Sequence, residues 1–375
     1  MPLPSGLIGH EFTNYKADNS CIRGKRHSNL KAAYKKYILN FKRPSGTSRG
    51  VMTEKETWFL ILEENGKQGI GECGLLRGLS IDDRPGYEEK LQWVCTNIHL
   101  GKDALWEALS EFPSIQFGVE MAFLSLQCEN PFLLFPSAFT EGEKSIPING
   151  LVWMGNPDFM KQQIEEKLAA GFRCIKLKIG TIDFEKEVGL LRFIRSHYDE
   201  KTIEIRVDAN GGFSANKALD KINQLSEFKI HSIEQPIQIN QHDRMSDLCK
   251  TAKIPIALDE ELIGVFSLEE KAQLLQRINP KYIILKPSLI GGFRGTSEWI
   301  SLAEKYKIGW WITSALESNI GLNAIAQWTY LQRNNLPQGL GTGSLYTNNF
   351  DCPLKVANGN LWYRKNTEWE FDIDL

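Results

Sequence analysis

The sequence predicts an α/β protein, a (β/α)8-type barrel preceded by a separate α+β body. Three observations carry that expectation. From about Ser145 onward, short apolar strands alternate with amphipathic helices. Before Ser145, strands and helices come in blocks without that alternation. Five successive strands of the second part each end in a charged residue, about one β/α repeat apart. A chain of 375 residues has room for a barrel and one smaller body.

Residues 1–28 are polar and irregular and end in the basic cluster Arg23, Lys25 and Arg26, so they read as an extension. The stretch Leu30 to Leu62 is strand-like: Ala33 to Phe41 alternates loosely and Thr57 to Glu63 is a compact apolar run. Between them, Arg43 to Gly50 has the glycine and serine content of a loop. Gly66 closes a hairpin to a third strand, Gly69 to Cys73. Helical patterns cover Tyr87 to Leu100 and Gln116 to Asn130. Barrel strands are expected at Ile146–Val152, Arg173–Ile179, Thr202–Asp208, Ile230–Glu234, Pro255–Asp259, Tyr282–Lys286 and Gly309–Ser314, with a weak one near Gly339–Gly343. Between them, Asp183–Tyr198 carries Phe184, Val188, Leu191 and Ile194 at helical spacing, and Ser214–Phe228 opens on a serine cap. No G-x-G-x-x-G follows the first strand, which argues against dinucleotide binding on an open sheet.

Composition removes several function classes. Hydrophobic residues are 42% and charged residues 24%, as in globular chains. Lys+Arg 44 against Asp+Glu 46 leaves no basic excess for nucleic acid. Apolar runs such as Trp58–Leu62 are too short to cross a membrane, and Met1–Gly9 has no secretory pattern. The 7 cysteines are scattered without a C-x-x-C, so neither disulfides nor a thiolate metal site is expected, and a cytoplasmic location fits. The 6 histidines form no H-E-x-x-H or H-x-H pair.

The chemistry lies in the strand ends: Lys176-Leu-Lys178, Arg206-Val-Asp208-Ala-Asn210, Ile233-Glu234-Gln235-Pro236, Leu258-Asp259-Glu260 and Leu285-Lys286-Pro287. From Lys178 through Asp208, Glu234 and Asp259 to Lys286 the steps are 30, 26, 25 and 27 residues. A single acidic residue at a strand end usually caps a helix, but five charges at one-repeat spacing are hard to obtain from capping. In barrels that end carries the active site. Period-two alternation puts Lys176 with Lys178, and Arg206 with Asp208, on one side of their strands. The outer side lies under helices, where an unpaired charge is costly, so the inner mouth is expected. Asp208, Glu234 and Asp259 on neighbouring strands would repel one another, and a hard divalent cation resolves that. Oxygen ligands without His or Cys favour Mg²⁺, with Mn²⁺ as a substitute. Lys178 and Lys286 flank the carboxylates as candidate acid and base, the metal and neighbouring cations lowering a lysine pKa. The combination predicts proton abstraction α to the carboxylate of a small-molecule substrate, through a metal-stabilised enediolate. Asn210 and Glu260 are expected to support the ligands. Arg206 is an ion-pair partner or a substrate contact, and Cys174 fills the barrel core.

These ordered motifs resemble the enolase superfamily in its muconate-lactonizing-enzyme-like branch, over roughly residues 30 to 345. The resemblance implies a modified (β/α)7β barrel at 146–345 under an N-terminal α+β capping domain at 29–145, with residues 346–375 packing back on the cap. It implies Mg²⁺ on Asp208, Glu234 and Asp259, and closure of the site by capping loops around Arg43–Gly50 and Gly71–Asp82. The run Thr313-Ser-Ala-Leu-Glu-Ser-Asn-Ile-Gly-Leu322 looks most like the o-succinylbenzoate synthase family of menaquinone biosynthesis. Those lyases dehydrate 2-succinyl-6-hydroxy-2,4-cyclohexadiene-1-carboxylate to 2-succinylbenzoate. Carried over, Lys178 would take the α-proton and return it to the departing hydroxyl, Lys286 would stabilise the enediolate from the opposite face, and Lys176 would assist Lys178. Thr313, Ser314, Gly291 and Gly292 would contact substrate.

Racemases and epimerases of the same branch share the two-lysine site. Dipeptide epimerases carry an Asp-x-Asp pair near the last strand; here that region reads Ser314-Ala-Leu-Glu-Ser-Asn319 and Gly339-Leu-Gly-Thr-Gly343, without one. N-succinylamino-acid racemisation and muconate cycloisomerisation stay open, as does a non-catalytic metal-binding barrel whose lysines are structural.

Overall fold

The computed structural model describes residues 29–47, 50–180 and 183–371; the segment 1–28 lies outside them. The chain opens with an antiparallel sheet of β1 (Lys31–Thr47), β2 (Gly50–Glu64) and β3 (Lys67–Cys73). Asn65 and Gly66, both with positive φ, make the β2–β3 turn. The described residues of the stretch Arg43 to Gly50, expected as a loop, belong to the far end of a long β1–β2 hairpin: Ser45 pairs with Met52 and Thr47 with Gly50, after a register shift between Asn40 and Ser45. Three helices follow, α1 (Tyr87–Thr96), α2 (Gly101–Ala108) and α3 (Pro113–Gln127). The helical stretch expected to run to Leu100 breaks at Asn97 into a 3₁₀ turn, and α2 had no sequence signal.

The expected strand Ile146–Val152 is two pieces in two sheets. β4 (Ile146–Pro147) pairs outward with a C-terminal hairpin, while β5 (Gly150–Val152) is the first barrel strand. Then come α4 (Pro157–Ala169), β6 (Cys174–Lys178), α5 (Phe184–His197), β7 (Glu204–Asp208), α6 (Ala215–Leu225), β8 (Ser232–Glu234), α7 (His242–Thr251), β9 (Ile256–Leu258), α8 (Leu268–Ile278), β10 (Tyr282–Leu285), α9 (Gly292–Lys305), β11 (Gly309–Ile312) and α10 (Asn319–Leu331). The seven strands form one parallel sheet in sequence order. It closes through Gln338 and Gly339, which bridge Ile148 on one side and Thr313 on the other. The weak eighth strand is therefore these two residues rather than Gly339–Gly343, and among the described residues no helix follows it: the barrel is (β/α)7β. Ser214 stands at the start of α6 as expected, but its side chain makes no capping bond.

The hairpin β12 (Leu354–Ala357) and β13 (Asn360–Tyr363) pairs with β4. Phe350 and Phe371 pack edge-on against Phe59 of β2, and Tyr346 packs at a tilt against Phe41 of β1. Trp369 stacks on Phe132. Each described cysteine is a free thiol. Among the described residues no helix is long and apolar enough to cross a membrane.

The cap sheet lies so close to α3 that two glycines are required. A Cβ on Gly71 would sit 1.9 Å from the Gly118 carbonyl oxygen, and one on Gly118 would sit 2.2 Å from the Cys73 sulfur. Gly189, inside α5, has open space instead. Gly71→Ala is expected to destabilise by about 2–3 kcal/mol through forced separation of sheet and helix. Gly189→Ala is expected to stabilise by up to about 1 kcal/mol through helix propensity. Urea denaturation of both variants checks the contrast in sign.

Candidate active site

The strand-end charges converge because β6 through β10 are in register. Lys178 lies beside Asp208, and Asp208 beside Glu234. The residues of the same parity one step below are Lys176 and Arg206, also paired. Alternate positions Ile175, Leu177, Ile205 and Val207 are buried and apolar, as the layer under the helices demands. Charges therefore point into the barrel. β6 and β10 stand four strands apart around it, which sets Lys178 and Lys286 across the mouth from each other.

Between them the carboxylates are buried: Asp208, Glu234 and Asp259 are 1%, 2% and 3% exposed. Lys176 Nζ bridges two of them, 2.9 Å from Asp208 Oδ2 and 2.5 Å from Glu234 Oε2. Lys178 Nζ donates to the same Asp208 oxygen at 3.0 Å and to Asn210 Oδ1 at 2.7 Å. Lys286 Nζ donates to Asp259 Oδ2. Asn210 donates its backbone N–H to Asp208 Oδ1 at 3.0 Å and its amide to Glu260 Oε1 at 2.9 Å. Burial alone would raise the Asp208 carboxyl, but Lys176 and Lys178 hold it well below the usual carboxylate range. Burial and the neighbouring Asp208 push Glu234 upward. The expected lowering of lysine pKa is not what these side chains produce. Burial lowers Lys176 and Lys286, but the facing carboxylates outweigh it and raise both above the ordinary value.

The donor set suits a hard cation: three carboxylates on adjacent strands, with Glu234 Oε1 buried and lacking a hydrogen-bond partner among the described residues. The described side chains do not by themselves converge into a ligand cage. Lys176 Nζ sits between two of the carboxylates and supplies the positive charge there.

A cavity of about 380 Å³ opens over this centre, lined by Lys176, Lys178, Asn210 and Lys286 below. Its roof is the β1–β2 hairpin (Ser45, Met52) and the segment Leu76–Leu79, from the two capping regions singled out in the sequence. Thr313 and Ser314 line its wall. The Ser314 hydroxyl is fully engaged: it donates to Glu317 Oε2 at 2.6 Å and accepts from Leu316 N–H and Thr342 Oγ1, both at 3.0 Å. Gln235, quoted in its motif without a role, stitches the strand ends together. Its Oε1 accepts from the Asp259 and Glu261 N–H groups at 3.3 Å, and its Nε2 donates to Glu261 Oε2 at 3.0 Å. Its positive φ turns the chain directly after Glu234, and that of Asn210 turns it two residues after Asp208.

Three expected site residues sit elsewhere. Arg206 lies one layer deeper, paired with Glu204 at 2.7 Å, donating to the Pro337 carbonyl at 2.8 Å and stacked on Trp311. It pairs with an ion as expected, but reaches neither the carboxylates nor the cavity. Gly291 and Gly292 do not line the cavity either, because they dock the start of α9 onto the cap. Trp106 Nε1 donates to the Gly291 carbonyl at 3.0 Å, and a Cβ on Gly292 would strike Glu120 at 2.1 Å. Glu120, on α3, accepts from the Phe293 N–H at 2.6 Å and the Arg294 N–H at 3.2 Å, where a helix start favours a carboxylate.

Burial nevertheless pushes the Glu120 carboxyl from 4.5 to about 7, against these hydrogen bonds and Arg294. The folded chain then keeps a proton that the unfolded chain releases between those values, so stability falls as pH rises through that window. Glu120→Gln cannot titrate. Its stability relative to the native chain should improve by up to about 3 kcal/mol between pH 4.5 and 7.5. Parallel urea titrations across that range measure the difference, and a pH-independent difference would contradict the assignment.

Comparisons with known proteins place the chain. Residues 160–366 match the family described as enolase C-terminal domain-like. The o-succinylbenzoate synthase of Desulfotalea psychrophila is 46% identical, the match covering 89% of this chain and 99% of that protein. The crystal structure of MenC from Desulfotalea psychrophila LSv54 has a TM-score of 0.80 at 43% identity, covering 89% of this chain and 100% of that one. Muconate lactonizing enzyme from Pseudomonas fluorescens, complexed with muconolactone, shares the fold, with a TM-score of 0.76 at 20% identity over 92% of this chain and 97% of that one. L-Ala-D/L-Glu epimerase of Bacillus subtilis is 24% identical over 85% of this chain and 87% of its own. With more than half of its length matched by that family, and nearly all of a synthase relative aligned at 46% identity, the chain belongs to the enolase superfamily, in its muconate-lactonizing-enzyme-like branch.

Proposed function

We propose that this chain is an o-succinylbenzoate synthase, a carbon–oxygen lyase of menaquinone biosynthesis. It converts 2-succinyl-6-hydroxy-2,4-cyclohexadiene-1-carboxylate to 2-succinylbenzoate and water. The observation that carries this reading is the pair Lys178 and Lys286 on opposite sides of one cavity, with Asp208, Glu234 and Asp259 between them. The relative at 46% identity supports the choice of reaction among those a two-lysine site allows.

Asp208, Glu234 and Asp259 would hold Mg²⁺, which when bound takes up negative charge developing on the substrate carboxylate. The chain's own residues do the rest. Lys178, as the free amine, removes the proton α to the carboxylate; Asn210 and Asp208 fix its direction. Lys286 faces the other side of the ring, where as an ammonium its charge stabilises the enediolate. The ammonium formed on Lys178 returns its proton to the departing hydroxyl, which leaves as water while the ring becomes aromatic. One lysine thus serves both steps from one face. Lys176 holds Asp208 and Glu234 together beneath. The β1–β2 hairpin and Leu76–Leu79 line the cavity above the lysines. The free thiols accord with a cytoplasmic setting.

Lys178→Ala and Lys286→Ala should each lower kcat by about 10³-fold or more while preserving the fold. Asp208→Asn, or chelation of divalent cations, should abolish turnover, and added Mg²⁺ should restore the chelated native protein alone. Steady-state kinetics with circular dichroism checks each variant. Full activity in both lysine variants would overturn the mechanism.

A further inference from the structure

The cap and the barrel mouth share a buried charge cluster that the mechanism above does not use. Glu72, at the inner end of β3, accepts from Thr57 Oγ1 and from the Ser318 N–H, both at 2.9 Å. Its other oxygen accepts from Ser318 Oγ at 2.5 Å and from the Gly321 N–H at 2.8 Å, at the start of α10. The cap thus caps a barrel helix with a carboxylate. Beside it Glu317, fully buried, binds two serines on two different mouth loops. Ser288 donates to Oε1 at 2.5 Å and Ser314 to Oε2 at 2.6 Å. Lys55 of β2 lies by Glu72 and Glu317. It is 4% exposed, and its Nζ has no hydrogen-bond partner among the described residues. Burial lowers the Lys55 pKa and raises that of Glu317, and the charge of each draws the other part of the way back.

The backbone is arranged for this contact. Leu316 has φ +63°, an unfavourable conformation for a leucine, which turns Glu317 back toward Ser314. The Leu316 carbonyl is held in turn by the Tyr346 hydroxyl at 2.7 Å. A Cβ on Gly321 would lie 2.8 Å from Glu72 Oε2 and 2.9 Å from Glu317 Cβ, so both carboxylates reach the helix start only past a glycine. Ser288 follows Lys286 by two residues, in the 3₁₀ turn Pro287–Leu289, and Ser314 lines the cavity.

We propose that Glu317 is a positioning residue for the reaction. By binding Ser288 and Ser314 at once, it fixes the loop that aims Lys286 and the cavity wall after β11. Lys55 and Glu72 tie that arrangement to the cap, so the mouth is in register only when the cap is seated. This rests on the proposed lyase reading, because Lys286 must matter for aim to matter. A displacement of about 1 Å at a reacting group costs on the order of 10²-fold in rate.

The test measures kcat and KM of the full chain with Mg²⁺ for Glu317→Gln, Ser288→Ala and the double variant, with near-ultraviolet circular dichroism and melting as fold controls. Glu317→Gln should lower kcat by about 10²-fold and Ser288→Ala by about tenfold, with KM changed less than about threefold. The double variant should be no slower than Glu317→Gln by more than about twofold, since both changes release one loop. A folded Glu317→Gln enzyme with native kcat and only a lower melting temperature would overturn the proposal, as would losses that multiply in the double variant. Should Glu317→Gln fail to fold, Ser288→Ala with native kcat would overturn it by itself. A native protein without synthase activity would instead overturn the lyase reading on which the proposal rests.

Discussion

The structure depends on neutralising charge inside a barrel. Three acidic side chains and three lysines sit together at one end of the sheet, and a single buried charge left unpaired would cost several kcal/mol. Lys176 bears the centre of this arrangement, bridging Asp208 and Glu234 from below. Lys178 and Lys286 then close the ring from two sides, each on a different carboxylate. Lys176 and Lys178 keep Asp208 ionised despite its burial, and charges held in a dry site interact strongly with a substrate's developing charge.

The second constraint is that a barrel mouth is a set of loops, and loops need fixing. Here the cap fixes them with carboxylates aimed at helix starts: Glu72 at α10 and Glu120 at α9. Both helices follow the strands on the side of the barrel that carries Lys286 and the Thr313–Ser314 wall. Glycines at 292 and 321 let the carboxylates approach. The opposite side, carrying Lys178, is stitched within the barrel itself by Asn210 and Gln235. The closing hairpin of the cap meets the barrel at Met154, which Gly46 bridges.

What the sequence made legible follows from periodicity. Strand ends one repeat apart and period-two alternation locate the lysines and carboxylates, because register in a parallel barrel converts sequence spacing directly into height. What it left hidden depends on contacts between distant segments. Gly291 and Gly292, carried over from the family resemblance as substrate contacts, instead meet two helices of the cap, at Trp106 and Glu120. Lys55 carries a faint signal, sharing the parity of buried Thr57 and Phe59, but Glu317, which it faces beside Glu72 of the next strand, is far off in sequence. The two-residue closing strand at Gln338 and Gly339 is too short for any pattern to mark. The C-terminal hairpin pairs with β4, a strand of two residues, for which the same holds.

The central claim is that the paired lysines serve α-proton abstraction coupled to loss of a hydroxyl. It is tested most directly by offering the native protein, with Mg²⁺ in deuterated water, the cyclohexadiene carboxylate, N-succinylamino acids, dipeptides and muconolactone side by side. The account predicts rapid loss of the diene chromophore with formation of 2-succinylbenzoate, and no comparable deuterium exchange into the dipeptides. Fast α-exchange into a dipeptide, with the diene left intact, would contradict it.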